Sequence, residues 1–214
     1  MSPDARHPRH SRRQIRKLAF WLAALTTSAS PASAQLDNAA NGADTPALFA
    51  ADIDCVNAFD LFASFAMLHC AFADAEGNSA GSDDRRRIAR AFDRLEALGR
   101  VPPEARKSVN VRLCPLVNGT GLVPAPGTIL LDDSLRGMSD ALFTEILAHE
   151  WVHVAQFERL GTTGFKCEYV RQMTRCGGCQ DAHHPLEQEA YDAQADVARL
   201  LEGAASSQSG GSTP

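Results

Sequence analysis

The amino-acid sequence predicts an α+β protein that is mainly helical, carries a small β-sheet and is held by disulfide bonds. Four segments repeat apolar residues at the 3.6-residue spacing of a helix, one short segment alternates as a strand does, and a second short segment is a strand candidate. All six cysteines lie downstream of residue 34, and an even number favours disulfides in an exported chain.

The first 34 residues have the pattern of a signal peptide. The basic stretch 11–17 (SRRQIRK) precedes an apolar run over 18–25, and Ala32-Ser33-Ala34 matches the small-x-small pattern that a signal peptidase cuts. The apolar run is shorter than the ~20 residues that a bilayer requires. The basic stretch resembles a twin-arginine export signal, although Ile15-Arg16 departs from it and leaves Sec export open. We therefore expect a periplasmic or secreted chain that begins at Gln35 and has no integral membrane segment.

Charge is distributed unevenly between this segment and the rest of the chain. The whole sequence has 21 Lys and Arg against 26 Asp and Glu. Residues 1–34 hold six of the basic residues and one acid, so the remainder carries a formal net charge of −10. A negative surface is repelled by nucleic acids and by anionic membranes. We expect neither as a partner, and the sequence leaves the oligomeric state open.

Two helices are predicted in the first half of the mature chain. Residues 35–44 are small and polar and indicate a linker before a domain over 45–202. Thr45-Pro46 can cap a helix that continues to residue 73. A second helix is expected over 83–98, with Gly99 as its stop signal.

The middle of the chain predicts the small sheet. Residues 108–116 alternate apolar and polar side chains, and 128–133 (TILLDD) form a second strand candidate. The Gly- and Pro-rich stretch between them indicates a loop. The remaining elements follow in order: a helix over 140–160 capped by Ser139 and stopped by Gly161, an irregular disulfide-tied loop over 162–184, a helix opened by Pro185, and a disordered tail over 203–214.

The cysteines allow 15 pairings that sequence cannot choose among. Only the Cys55–Cys70 pairing is disfavoured, because a straight helix would place their Cα atoms about 22 Å apart, whereas a disulfide needs roughly 7 Å. Cys176-Gly-Gly-Cys179 lacks the βαβ surroundings of a redox motif. Structural disulfides are the default prediction. A second zinc site remains an alternative, built from Cys167, Cys176, Cys179 and either His183 or His184.

The segment HEWVH over 149–153 predicts a metal site. His149 and His153 stand four residues apart within a well-capped helix, so both project from one face and can bind one metal ion. Glu150 follows the first histidine and is placed to accept a proton from the water that the metal activates. The alternative interpretation is a pair of hydrogen-bonded core histidines.

A third ligand is needed, because catalytic zinc usually has three protein ligands. The continuation VAQFERL excludes the metzincin pattern HExxHxxGxxH. The last helix supplies acidic candidates. Glu187 and Glu189 flank its apolar face on opposite edges, so periodicity does not decide between them. Asp192 and Asp196 follow the Glu189 edge and could form an exposed acidic stripe.

The segments ILAHEWVHVAQFERLG and HPLEQEAYDAQAD resemble the exported gluzincin-like core domains associated with bacterial extracellular contractile injection systems. The resemblance covers about residues 128–200. It implies a zincin-like fold, Zn²⁺ as the cofactor, Glu187 as the third ligand and peptide hydrolysis as the activity. This chain departs from the family at Tyr191, where an Asp is frequent, and at His184, where an Asn is usual.

Together these features predict an exported zinc metallopeptidase that acts on a peptide or protein substrate, with Glu150 as its general base. His183, His184 and Tyr169 are candidates for a hydrogen bond to the oxyanion. The alternative is a catalytically inactive, zinc-stabilised binding or assembly module of the cell envelope. A metal-free, disulfide-rich structural protein is the third possibility.

Overall fold

The structure is a computed structural model that describes residues 54–75, 81–116, 119–179 and 183–209. The predicted signal peptide, the linker and the beginning of the first helix lie outside these residues. The described elements run along the chain as α1 (Cys55–Ala75), α2 (Ser82–Ala97), α3 (Ala105–Ser108), β1 (Asn110–Cys114), β2 (Gly121–Ala125), β3 (Thr128–Asp132), a 3₁₀ turn (Asp133–Gly137), α4 (Asp140–Arg175) and α5 (Pro185–Ser209). The predicted class, mainly helical α+β with a small sheet and disulfides, is confirmed.

The sheet has three strands in the order β1-β3-β2. The central strand β3 pairs parallel with β1 and antiparallel with β2. Its residues Ile129, Leu130 and Leu131 are fully buried, which explains the uninterrupted apolar run. Sequence reasoning predicted a loop where β2 lies, because Gly121 and Pro124 normally break strands. Pro124 is tolerated here since β2 is an edge strand with an irregular register.

The long element α4 contains a break at Gly161. Ser139 caps its start by accepting a hydrogen bond from the Leu142 N–H, as expected. At Gly161 the backbone has φ 71° and ψ 163°, so the first helical segment stops where the sequence predicts. The chain then resumes as a helix to Arg175, so the prediction of an irregular loop over 162–184 is wrong for 162–175.

The reason for this second helical segment is packing. Its side chains Phe165, Tyr169 and Val170 are buried in the main core. Phe165 stacks on Phe157 from the segment before the break, with ring centroids 3.9 Å apart. Phe59 of α1 meets the rings of Phe165 and Tyr169 edge-on at 5.8 Å. An aromatic cluster therefore joins α1 to both halves of α4.

Three disulfides complete the fold: Cys55–Cys167, Cys70–Cys114 and Cys176–Cys179. The first two tie opposite ends of α1 to α4 and to β1. Cys55 and Cys70 are not paired with each other, in agreement with the helical distance argument. The alternative second zinc site is excluded, because its three cysteines are all disulfide-bonded. These bonds indicate an oxidising, exported environment.

The helix α1 is apolar on two faces. Phe59, Ala63 and Cys70 are buried against the body. The opposite face leaves four large apolar side chains exposed: Leu61, Phe65, Leu68 and Phe72. Among the described residues, the stretch Cys55–Ala73 is long and apolar enough to cross a membrane by length and composition alone. The absence of a membrane segment in the mature chain stays a prediction.

The final helix is longer than predicted. The structure continues α5 to Ser209, so residues 203–209, which their small polar composition assigned to a disordered tail, are helical. Residues 210–214 lie outside the described part of the chain.

Candidate metal centre

The structure brings His149, His153 and Glu187 together. The two histidines lie one turn apart on α4, with ring centroids 5.1 Å apart. The Nε2 atom of His149 is 3.2 Å from Glu187 Oε2, and the Nε2 atom of His153 is 3.6 Å from Glu187 Oε1. The exposed fractions of the three residues are 8%, 5% and 5%. Their candidate ligand atoms all lie within 4.8 Å of one another, so the group could hold a metal ion.

The structure shows which of the two candidate glutamates, Glu187 or Glu189, lies beside the histidines. Glu187 lies in the first turn of α5 and faces the histidines. Glu189 instead points to Arg159, whose two guanidinium nitrogens lie 2.9 and 2.7 Å from its carboxylate oxygens. This two-point ion pair holds Glu189 away from the histidine pair. Asp192 and Asp196 are likewise outside the cluster.

Gln156 orients the His153 ring through a hydrogen bond to the ring nitrogen that does not face Glu187. The His153 Nδ1–H donates to Gln156 Oε1 at 2.8 Å, which leaves the Nε2 lone pair available to a metal. The Gln156 amide then donates to the Leu186 carbonyl at 2.9 Å, linking α4 to α5. The sequence alone predicts no chemical role for Gln156. A usable signal was present, because a fully buried polar residue one turn after a ligand must find partners.

Tyr169 holds Glu187 in the same way. Its hydroxyl donates to Glu187 Oε1 at 2.7 Å. The His184 Nε2–H in turn donates to the Tyr169 carbonyl at 3.1 Å, and His184 is fully buried. His183 is exposed and does not line the cavity beside the metal-binding group. Of the three predicted oxyanion donors, Tyr169 and His184 are engaged in these hydrogen bonds, and His183 lies away from the cavity.

A cavity of about 110 Å³ opens beside this group. Aromatic and aliphatic side chains form part of its wall: Phe59, Phe62, Leu122, Val123 and Phe165. The polar part comprises the metal-binding group with Glu150, Thr120, Tyr169 and Tyr191. Gly121 allows Glu150 to approach β2, because a Cβ atom at Gly121 would lie 2.2 Å from Glu150 Oε1.

Glu150 is a desolvated carboxyl group. It is 4% exposed, and burial raises its pKa; the nearby charge of Glu187 raises it further, while His149 and His153 lower it. Glu150 Oε2 and His149 Nδ1 have no hydrogen-bond partner among the described residues. A buried carboxyl with an unused oxygen at a cavity wall fits a group that binds and deprotonates water.

The ligands themselves form a charged pair in the metal-free protein. Burial opposes the charge on His153, but the hydrogen bond to Glu187 and the charges of Glu150 and Glu187 outweigh it and raise its pKa to about 9. Burial also opposes the charge on Glu187, yet hydrogen bonds from the histidines and Tyr169 hold its pKa well below the usual range. A metal cation can replace the proton that this pair shares.

The donor set fits a divalent transition metal. Two imidazole nitrogens and one carboxylate oxygen, each held by an outer hydrogen bond or by packing, are a set that zinc accepts in catalytic sites. Comparisons with protein-family models, curated proteins and solved structures give no match for this chain. The geometry alone thus defines the site as a buried two-histidine, one-carboxylate centre in a mainly helical α+β protein.

Proposed function

We propose that this protein is an exported zinc metallopeptidase of zincin-like architecture. One observation carries the proposal: a buried His149–His153–Glu187 group shares a cavity with Glu150, whose carboxyl is desolvated and lacks a partner on one oxygen. Glu187 comes from a second helix and approaches the Nε2 atoms of both histidines, where one metal ion would bind. A buried carboxyl without a ligand or water would carry an unbalanced desolvation penalty.

Under this proposal, separate residues bind the metal, orient its ligands and transfer the proton. His149, His153 and Glu187 bind the metal, and Gln156 and Tyr169 fix the orientation of two of these ligands. Zinc, when bound there, supplies Lewis-acid polarisation and lowers the pKa of a water molecule to about 7. Glu150 accepts the proton of the attacking water on a carboxylate oxygen and passes it to the nitrogen of the departing amine. The apolar wall of the cavity limits the access of bulk water.

The disulfides and the N-terminal sequence support a cellular location outside the cytoplasm. Three disulfides require an oxidising compartment, and the basic and apolar N-terminal segment provides an export signal. We propose cleavage after Ala34 and a periplasmic or secreted mature protein. N-terminal sequencing of protein recovered from the periplasm or medium checks this, and a chain that keeps its first 34 residues contradicts it.

The function is tested with mature protein, metal analysis and a mixed peptide library. We expect one zinc ion per chain and measurable cleavage. Glu150→Gln should keep the metal and lose about 10²–10⁴-fold in kcat/KM, the usual contribution of a general base. Glu145→Gln is the matched control, because it makes the same change on the same helix outside the cavity. It should retain activity.

Each other outcome selects a different function. Zinc retained without turnover of any peptide favours the binding or assembly module. Metal-free protein whose melting is unchanged by chelator favours a purely structural role. Equal cleavage by the wild type and Glu150→Gln ends the assignment of Glu150 as the base.

A further inference from the structure

His184 directly precedes α5, and the proposed chemistry gives it no role. Its backbone carbonyl accepts the Gln188 N–H at 2.8 Å, as the carbonyl at the start of a helix does. Its ring nitrogen Nδ1 accepts the Glu187 backbone N–H at 3.4 Å. A side chain that accepts the N–H three residues later is an N-cap, a position where Ser, Thr, Asp or Asn is usual. His184 therefore caps α5 with its imidazole ring, and the N–H that it accepts belongs to the candidate ligand Glu187.

The second ring nitrogen of His184 connects this cap to α4. Its Nε2–H donates to the Tyr169 carbonyl at 3.1 Å, and the two rings lie with their centroids 4.5 Å apart. The Tyr169 hydroxyl donates to Glu187 Oε1 at 2.7 Å. The Glu187 N–H donates back to His184, so the three residues form a closed hydrogen-bond network. This network holds both the backbone and the carboxylate of Glu187.

The network is buried, so bulk water does not compete for its hydrogen bonds. His184 is 0% exposed, and Tyr169 and Glu187 are also buried. A buried imidazole has to satisfy both ring nitrogens, and a neutral ring with its proton on Nε2 supplies the one donor and one acceptor that these contacts use. None of the three hydrogen bonds involves a metal. Glu187 is therefore already oriented before an ion binds.

We propose that His184 is a positioning residue that orients Glu187 for metal binding through both nitrogens of its ring. Nδ1 holds the Glu187 backbone, and Nε2–H holds Tyr169, whose hydroxyl holds the carboxylate. His184 does not line the cavity, so it acts only through these two neighbours. A ligand that is already held in place loses less conformational freedom when the ion binds, which raises the metal affinity.

Conservative substitutions separate the two ends of the ring. Asn has an acceptor that can replace Nδ1 but is too short to reach the Tyr169 carbonyl, so His184→Asn keeps the cap and loses the connection to α4. Gln can place its amide N–H near the position of Nε2, so His184→Gln keeps the connection and loses the cap. His184→Ala removes both. The matched control is Gln172→Leu, because Gln172 Oε1 accepts the Leu186 N–H at 2.9 Å and thus joins α4 to the first turn of α5 without contacting Glu187.

Amide hydrogen exchange tests the cap in metal-free mature protein, with buried amides of α4 as the reference for overall stability. We expect the Glu187 N–H to exchange at least about fivefold faster in His184→Ala and His184→Gln, the size of effect that the loss of an N-cap gives. In His184→Asn and Gln172→Leu it should stay within about twofold of the wild type. Unchanged Glu187 exchange in both His184→Ala and His184→Gln overturns the proposal.

Zinc affinity, measured by competition with a chelating dye, tests the effect on the metal. His184→Ala should bind zinc about 10–100-fold more weakly, and His184→Asn and His184→Gln should each lose part of that affinity. Gln172→Leu should melt at a lower temperature but keep its zinc affinity within about threefold. The visible spectrum of the Co²⁺-loaded protein should change in His184→Ala, where the carboxylate is no longer held, and should stay the same in Gln172→Leu.

Zinc affinity within threefold of the wild type in His184→Ala, or an equal loss in Gln172→Leu, overturns the role of His184. The proposal rests on the proposed function, but the two fail differently. A wild type that binds zinc and cleaves no peptide refutes the peptidase, and the zinc comparison still decides the role of His184. A wild type that binds no zinc refutes the metal centre, and the exchange rates then decide whether His184 orients Glu187.

Discussion

The disulfide between Cys55 and Cys167 should stabilise the protein far more than the one between Cys176 and Cys179. The first joins α1 to the second half of α4 across a sequence separation of 112, and the second closes a separation of 3. All four cysteines are partly buried, so replacing either pair by serine removes a similar amount of buried sulfur. The double variants C55S/C167S and C176S/C179S therefore differ mainly in the length of the loop that each releases.

Loop-closure entropy gives the expected size of this difference. At 25 °C, closing the long loop corresponds to about 4–5 kcal/mol. This range allows for the Cys70–Cys114 bond, which lies within the long loop and shortens it. Closing the short loop corresponds to about 1.5–2 kcal/mol. For a chain of this length, each kcal/mol lowers Tm by roughly 2–4 °C. We therefore expect C55S/C167S to melt about 8–20 °C below the wild type and C176S/C179S about 3–8 °C below it.

Calorimetry or circular dichroism of the metal-free proteins measures these shifts, and urea titration gives the free energies of unfolding. Metal-free samples are required, because a bound metal adds its own stabilisation. If C55S/C167S loses no more stability than C176S/C179S, the loop-closure explanation is wrong: the Cys55–Cys167 bond would not reduce the entropy of the unfolded chain more than the Cys176–Cys179 bond does.

Three further outcomes are expected. Gln156→Leu should weaken zinc binding about 10–100-fold in a chelator competition assay, because His153 loses the hydrogen bond that orients its ring; unchanged affinity would remove Gln156 from this role. Gly121→Ala should lower kcat at least tenfold while zinc stays bound, since the added Cβ displaces Glu150; Gly137→Ala, with no neighbour within 4 Å, is the control and should stay active. The pKa of His153 is about 9 in the folded metal-free protein and 6.5 in the unfolded chain, so its contribution to stability is complete below pH 6.5 and is lost as the pH rises through 9. The urea midpoint of metal-free protein should fall between pH 7 and 10, and the same fall in His153→Gln would show that another group is responsible.

The sequence specified the parts of the site that depend on one helix alone. The four-residue spacing of His149 and His153 is fixed by helical geometry, and Ser139 and Gly161 bound that helix as expected. The choice between Glu187 and Glu189 depends on how α5 rotates against α4, which is a tertiary contact. The resemblance to gluzincin-like domains pointed to Glu187, and in the structure Arg159 engages Glu189 instead.

The elements that sequence reasoning missed are those whose stability comes from distant partners. The strand β2 contains two residues that disfavour strands, but its pairing with β3 overrides that local preference. The helical segment over 162–175 follows Gly161 and begins with two threonines, and it is stabilised by burial of Phe165 and Tyr169 against α1. Neither contact is encoded in a short window of sequence.

The candidate metal ligands lie on α4 and α5, whereas the disulfide-tied α1 is remote in the sequence. The contacts between α4 and α5 join residues that are nearer in the sequence than those between α4 and α1, so they can form before distant segments meet. Ion capture can therefore come before cysteine oxidation during maturation, and a fully reduced chain should already take up zinc. A cell that exports this protein unfolded would then have to supply the ion outside the cytoplasm, whereas export of a folded chain would carry the ion along.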